Sequence, residues 1–210
     1  MPHPLEDYLK QLRAIRSTGE AVEELSFYGP LAELLNAVGE DLDPEVRCVM
    51  NLSNRGAGLP DGGLFTDNQL QDCPLDELVE GQKPARGAIE VKGTGDEVRD
   101  IVDTDQVRGY LRGYGQVLVT NLRDFLLIER DSGGEAKLLE SYRLAASEGD
   151  FWTATQTPRK FANEQGDRLV DFLRRVMMHG APLSEPEDVA WLLASYAREA
   201  LARVEEAQLP

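Results

Sequence analysis

The sequence has few of the residues that build disulfide frameworks and zinc centres. Its 210 residues include two cysteines and two histidines. Cys48 in an apolar stretch and Cys73 in a polar one show no metal-ligand spacing, and neither His3 nor His179 lies in a metal-ligand or catalytic-triad pattern. We therefore expect no disulfide framework, and a reducing cytoplasm fits this cysteine usage best.

Long apolar runs are also missing. No stretch approaches the roughly 20 apolar residues that span a membrane, and the N-terminus has no basic segment followed by an apolar run. With 41% hydrophobic residues, the chain can still bury one good core. We therefore expect one main domain in the cytoplasm, neither exported nor embedded in a membrane.

Positive charge is scarce. The chain has 22 lysines and arginines against 38 aspartates and glutamates, a formal net charge of −16. Nonspecific affinity for DNA comes largely from basic side chains that displace counterions from phosphates, so this balance argues against tight autonomous DNA binding. One segment, residues 155–180, has a local basic excess that predicts either a modest strip facing DNA or a partner, or only a solvated helix face. Its basic residues are Arg159, Lys160, Arg168, Arg174 and Arg175.

Helical and strand patterns alternate along the chain. Apolar residues at helical spacing predict helices over residues 4–17 and 31–38, and residues 105–114 are typical of a short helix. Short β-branched runs bounded by turn formers predict strands over residues 46–52, 87–92, 117–120, 125–129 and 136–144. Two further helical faces follow Arg168. The pattern predicts an α/β fold with a helical C-terminal region.

The most informative feature is a pair of short polar motifs. Pro60 and Asp61 lie among glycines that predict a tight bend. Glu90 follows 29 residues after Asp61, in the apolar run of residues 88–92 that also carries Lys92. Because side chains alternate between the two faces of a strand, Glu90 and Lys92 point to one side while Ile89 and Val91 point to the other. The carboxylate and the ammonium are therefore presented together.

These three side chains suit metal-assisted phosphodiester cleavage. If the Asp61 segment pairs beside the Glu90 strand, two carboxylates offer the hard oxygen ligands that Mg²⁺ prefers. A bound metal lowers the pKa of its water and neutralises charge that builds on the phosphate. Lys92 would then orient or deprotonate the attacking water and offset the same negative charge.

The arrangement resembles the PD-(D/E)xK nuclease superfamily. It is most similar to the Mrr-like N-terminal nuclease domains of type ISP-like restriction-modification enzymes, which are fused to methyltransferases. The resemblance rests on Pro60-Asp61, on Glu90-Val91-Lys92, on the amino-acid sequence of residues 54–65, and on Gln106 and Tyr110 in a Q-x-x-x-Y helix motif. It covers roughly residues 25 to 130. It implies a restriction-endonuclease-like mixed sheet flanked by helices over residues 1–164, and a helical appendage or linker over residues 165–210.

The resemblance also implies an activity and its residues. The chain would be a Mg²⁺-dependent endodeoxyribonuclease, with Mn²⁺ as a substitute metal. It would act on double-stranded DNA beside methyltransferase, target-recognition and motor modules in the same polypeptide or complex. The catalytic residues would be Asp61, Glu90, Lys92 and Gln106, with Glu33 and Tyr110 as further candidates, and the metal would be held by Asp61, Glu90 and Val91.

Plainer interpretations remain beside this one. Asp61 could satisfy turn amides, and Glu90 with Lys92 could form a surface ion pair on an edge strand. Gln106 and Tyr110 could belong to an ordinary helix face with a hydrogen bond to loop backbone, and Glu33 could be a solvated glutamate. The alternative functions are a non-catalytic nuclease-fold module that docks on a basic partner, and a free-standing Mrr-like nuclease.

Overall fold

The computed structural model describes residues 2–19, 24–52, 59–71, 83–102, 104–181 and 186–207. Its helices are α1 (Pro4–Ser17), α2 (Tyr28–Gly39), α3 (Asp67–Gln71), α4 (Val98–Val102), α5 (Asp105–Tyr114), α6 (Glu148–Ala154), α7 (Pro158–Met178) and α8 (Pro186–Glu206), with a 3₁₀ turn at Leu25–Phe27. Its strands are β1 (Val46–Met50), β2 (Gly62–Thr66), β3 (Ala88–Val91), β4 (Gln116–Thr120), β5 (Asp124–Arg130) and β6 (Ala136–Arg143).

The described strands form one sheet in the order β1-β2-β3-β4-β5-β6. The β3–β4 pair is parallel and the other pairs are antiparallel, so the sheet is mixed. All residues of β3 and β4 are buried, because helices cover both faces of the sheet at these central strands. The predicted α/β class, with a mixed central sheet flanked by helices, is confirmed.

Each face of the sheet has its own core. On one face, α1, α2, α6 and α7 pack over Ile89, Val91 and Leu118. On the other, α4 and α5 pack over Val117 and Val119. This division follows from the alternation of side chains along each strand. Because both faces of β3 are covered, the residues of this strand are mostly apolar. Glu90 is the exception within β3.

Helix α7 belongs to the main core. Its apolar side chains, including Leu169, Phe172 and Val176, are buried in the same cluster as α1 and α2. The helix begins at Pro158, a favourable first helical residue, so it starts ten residues before the apolar face expected from Arg168 onward. The predicted boundary between residues 164 and 165 falls inside this continuous helix. The more peripheral element is α8, which buries only Ser195 among its described side chains.

The sequence located most other elements closely. The predicted helices at residues 4–17 and 105–114 coincide with α1 and α5. The bend expected around Asp61 leads directly into a strand, β2, which the glycines at residues 62 and 63 had concealed. The short helices α4 and α6 were not predicted, because five and seven residues carry too little periodicity. No helix in the described part of the chain has the length and apolarity to cross a membrane.

The contact between α2 and β1 gives a test of this packing. Gly39 is the last residue of α2, and a Cβ atom there would collide with the main-chain carbonyl of Val46 in β1. We expect Gly39→Ala to destabilise the protein by about 1–3 kcal/mol, because backbone must move to admit the methyl group. Gly29, in the same helix, has nothing within 4 Å of an added Cβ. Gly29→Ala is therefore the matched control and should be neutral or slightly stabilising in thermal denaturation, whereas equal effects of the two changes would contradict this packing.

Candidate functional site

The pairing of β2 with β3 brings Asp61 to Glu90. Gly62 is opposite Ile89, so Asp61 lies beside the end of β3, where its Oδ2 accepts a 2.7 Å hydrogen bond from the main-chain N–H of Val91. The carbonyl oxygen of Asp61 accepts a second bond, 2.6 Å, from the N–H of Asn51. Asn51 follows β1 with a φ of +57°, a conformation that asparagine tolerates better than most residues. The Asp61 carboxylate is thus fixed at the end of the strand that carries Glu90.

Glu90 is a carboxylate in an apolar setting. Its side chain is 1% exposed, and neither carboxylate oxygen accepts a hydrogen bond from any described residue. Oε1 lies 2.6 Å from Nζ of Lys92 in an ion pair whose angles are not those of a hydrogen bond. Burial raises the pKa of Glu90 to about 7, and the nearby carboxylate of Asp61 adds to the rise, while Lys92 opposes it. The cost of burying an ionised Glu90 is therefore only partly offset by Lys92.

Lys92 lies between two carboxylates. Its Nζ is also 3.3 Å from Oε1 of Glu24, and its side chain is 28% exposed. Burial acts to lower the pKa of Lys92, but the carboxylates of Glu90 and Glu24 outweigh that effect and raise the pKa overall. Its main-chain N–H donates to Thr120 of β4, which extends the parallel pairing one residue past β3. Lys92 is therefore a fixed cation at the border between the core and solvent.

Two residues of this group were not predicted from the sequence. Glu24 contacts Lys92, and Tyr28 lies beside Asp61, where burial and a hydrogen bond with that carboxylate raise the pKa of Tyr28. Both precede Leu31, the first residue of the second predicted helix. Extending that helix three residues toward the N-terminus would have included Tyr28, whereas no local pattern distinguishes Glu24 from the glutamates before it.

Gln106 and Tyr110 act on the Asp61 loop through its backbone. Nε2 of Gln106 donates a 2.7 Å hydrogen bond to the hydroxyl of Tyr110, which donates in turn to the carbonyl of Leu59 at 2.7 Å. Burial raises the pKa of Tyr110 to about 12, so the hydroxyl remains a donor at neutral pH. The structure thus brings the Q-x-x-x-Y motif to the site, two residues before Asp61, through the hydrogen bond to loop backbone that the plainer interpretation anticipated.

Glu33 is not among the residues brought together here. It is exposed on α2 and accepts a hydrogen bond from Gln11 of α1. The structure therefore places Glu33 as a solvated glutamate between two helices. The acid that reaches Lys92 from the N-terminal part of the chain is Glu24. Residues 54–58 of the 54–65 segment and residues 72–82 of the long connection between Asp61 and Glu90 lie outside the described residues.

Most of the predicted basic strip is engaged in intramolecular ion pairs. Arg168 contacts Glu199 and Glu206 of α8, Arg174 contacts Asp41, and Arg175 contacts Glu140. These pairs fasten α7 to its neighbours.

The chemistry of the group fits a hard divalent cation. Asp61 and Glu90 supply carboxylate oxygens, and the two oxygens of Glu90 are buried beside Lys92 without a hydrogen bond of normal geometry. Val91 can contribute only its main-chain carbonyl oxygen. Within the described residues, no three or more His, Cys, Asp or Glu side chains cluster as a metal-binding group. A cation at this site would therefore have two carboxylate ligands and would complete its coordination with main-chain oxygen and water, as Mg²⁺ commonly does.

Comparisons of this chain with known proteins found a similar chain among solved structures. No protein-family model matches the sequence, and no curated protein matches it. Among solved structures, the chain is similar to a chain in a cryoEM structure of a DrdV–DNA complex, with 20% sequence identity and a TM-score of 0.47. The similarity covers 80% of this chain and 14% of the other. This chain therefore spans a small part of the length of that neighbour.

The setting of Glu90 predicts how stability depends on pH in the absence of metal. The folded protein holds the Glu90 proton more tightly than the unfolded chain, so its contribution is fully present below a pH of about 4.5 and is lost as pH rises through about 7. We expect Glu90→Gln, which cannot ionise, to gain stability relative to wild type across that window by about 3 kcal/mol. Urea denaturation in EDTA between pH 4.5 and 8 measures this difference.

The control for this experiment is Glu33→Gln, which removes an exposed carboxylate away from the site. It should keep the pH dependence of the wild type. A stability difference between Glu90→Gln and wild type that stays constant from pH 4.5 to 8 would show that Glu90 titrates as an ordinary carboxylate.

Proposed function

We propose that this chain is a Mg²⁺-dependent endodeoxyribonuclease domain of a restriction-type system that hydrolyses phosphodiester bonds in double-stranded DNA. One observation carries the proposal. A buried strand holds Glu90, whose carboxylate forms an ion pair with Lys92 but accepts no hydrogen bond of normal geometry, next to the anchored carboxylate of Asp61. An ionisable group in a central strand costs stability, and a bound cation would offset that cost.

The metal would be held by Asp61, Glu90 and the main-chain carbonyl of Val91, and Mn²⁺ would substitute for Mg²⁺. When bound, such an ion supplies a water of lowered pKa and neutralises negative charge on the phosphate. The protein itself holds the ligand residues in position. The Val91 N–H holds Oδ2 of Asp61, and the Tyr110 hydroxyl holds the carbonyl of Leu59, so both hydrogen bonds position the same loop.

Lys92 would serve the phosphate and the attacking water. Its ammonium stands 2.6 Å from Glu90, and its side chain remains partly exposed, so it can approach a substrate from the solvent side. A cation there offsets charge that develops on the phosphate during attack. Glu24 would keep Lys92 in place through its 3.3 Å contact. Gln106 acts one step further away, by orienting the hydroxyl of Tyr110.

The charge balance supports a domain that depends on other modules for DNA affinity. The net charge is −16, and three arginines of α7 are ion-paired within the protein. Weak intrinsic affinity would keep the domain from cutting at random sites. We propose that methyltransferase, target-recognition and motor modules in the same polypeptide or complex hold it on DNA.

Metal binding tests the site directly. We expect Mg²⁺ or Mn²⁺ to bind the isolated protein and to raise its melting temperature, because cations that bind only the folded state stabilise it. Asp61→Asn and Glu90→Gln should each reduce the affinity at least tenfold in titration calorimetry, while Glu33→Gln should bind like wild type. Absence of divalent binding to the wild-type protein would instead favour the non-catalytic interaction module.

Cleavage tests the activity. We expect slow nicking of supercoiled DNA in Mn²⁺ at low ionic strength, abolished by Asp61→Ala or Lys92→Ala and retained by Glu33→Gln. Asp61→Ala removes a proposed metal ligand, and Lys92→Ala removes the cation that would offset charge on the phosphate. Gel analysis of nicked and linear products measures the effect, and nicking that survives Asp61→Ala in a metal-binding protein would show that the activity arises elsewhere.

A further inference from the structure

A second concave site lies at the other end of β3. It is a cavity of about 250 Å³ where the segment after α2 meets the end of α7 and the start of α8. Its walls include Val46, Arg86, Arg174, Met177 and Trp191. Arg86 comes just before β3, whereas Glu90 lies near its end. At about 3.3 Å per residue, roughly 13 Å of strand separates the two, so this cavity is distinct from the carboxylate site.

Arg86 is the unusual member of this wall. It is 8% exposed, and its Nε has no hydrogen-bond partner. Among the residues that the structure describes, no carboxylate forms an ion pair with its guanidinium. Burial lowers the pKa of Arg86, and no neighbouring charge is a cause of the shift. A guanidinium does not lose its proton in proteins, so Arg86 is a largely buried cation that has no ion-pair partner among the described residues.

The rest of the cavity offers donors and an apolar wall. Nε of Arg174 is also buried without a hydrogen-bond partner, although its Nη2 contacts Asp41 at 2.7 Å. The guanidinium of Arg174 lies over the ring of Trp191, 5.8 Å from its centroid. Met178 is partly exposed and lines the cavity, where it supplies flexible apolar surface. One occupant could therefore meet two guanidinium groups and an aromatic ring.

The border of the cavity limits what can enter. In the part of the chain that the structure describes, four acids line it: Asp41, which forms an ion pair with Arg174, and Asp43, Glu187 and Asp188. These acids repel an extended polyanion, so the phosphate backbone of a nucleic acid is disfavoured here. A volume of about 250 Å³ suits a small molecule or the end of a chain rather than a folded partner.

We propose that this cavity binds a small monoanion with a carboxylate at one end and an apolar or aromatic body. The carboxylate pairs with the guanidinium of Arg86, which presents a fork of donors that matches carboxylate geometry. The body packs against Trp191 and Met178. The ligand would give Arg86 the ion-pair partner that it lacks among the described residues, and this assignment is independent of the proposed nuclease activity.

Benzoate is the first probe, and benzamide is its neutral counterpart of nearly equal shape. We expect benzoate to raise the melting temperature of the wild-type protein saturably, with a dissociation constant of ~1 mM or tighter, and benzamide to leave it unchanged. Inorganic phosphate at the same concentration should also have little effect. Stabilisation by phosphate without stabilisation by benzoate would overturn the ligand class.

The matched variants are Arg86→Met and Arg47→Met. Arg86→Met keeps the length and removes the charge, so the ligand-free variant should melt at a higher temperature than wild type and should no longer respond to benzoate. Arg47 lies on β1 in an exposed ion pair with Glu45, and Arg47→Met should keep the full response. A response of Arg86→Met equal to that of wild type, or no response of the wild type to benzoate, contradicts the proposal.

A carboxylate can come from a free metabolite or from the C-terminus of a peptide. A short peptide that ends in phenylalanine, compared with its C-terminal amide, distinguishes these sources. Binding of the peptide acid more tightly than benzoate, and loss of binding in the amide, assigns a chain terminus. Binding of benzoate alone assigns a free small molecule.

Discussion

The hydrogen bond from the main-chain N–H of Val91 to the carboxylate of Asp61 holds the site together. It spans 30 residues of sequence, and it exists because β2 pairs with β3 in a register that ends at Gly62 and Ile89. A shift of one residue in this register would turn Glu90 and Lys92 toward the opposite face. The buried carboxylate, its ammonium partner and the second carboxylate are therefore consequences of one strand pairing.

Glu90 explains why that pairing has to be precise. Within β3, Ala88, Ile89 and Val91 pack into apolar cores, and each contributes to stability by burial alone. Glu90 does the opposite, because its burial costs free energy that Lys92 only partly offsets. The proposed cation would offset this cost by binding the carboxylates of Glu90 and Asp61. Arg86, which comes just before the same strand, presents the same imbalance with the opposite sign of charge.

The fold could be predicted from the sequence where the apolar residues had a clear period. Residues 4–17 and 105–114 carry clear helical spacing and form α1 and α5 as predicted. The strand β2 was harder, since Gly62 and Gly63 are poor strand formers in isolation. They lie there because Leu52, Met50 and Pro84 crowd positions where a Cβ would otherwise stand. That tertiary constraint leaves no local signature.

The site could be predicted in part from the same kinds of periodicity. Asp61, Glu90 and Lys92 follow from strand alternation and adjacent pairing, and Gln106 and Tyr110 from helical spacing. Glu24 and Tyr28 come from a segment whose approach to Lys92 and Asp61 depends on the packing of α2 against β1, so their sequence neighbours give no indication of it.

The central claim is that Asp61 and Glu90 share one cation. Anomalous diffraction from crystals of this protein soaked in Mn²⁺ tests it most directly. The account predicts a manganese peak within about 2.0–2.5 Å of a carboxylate oxygen of each residue, absent from crystals of Asp61→Asn. A fully occupied manganese ion elsewhere, with no peak between these two side chains, would contradict it.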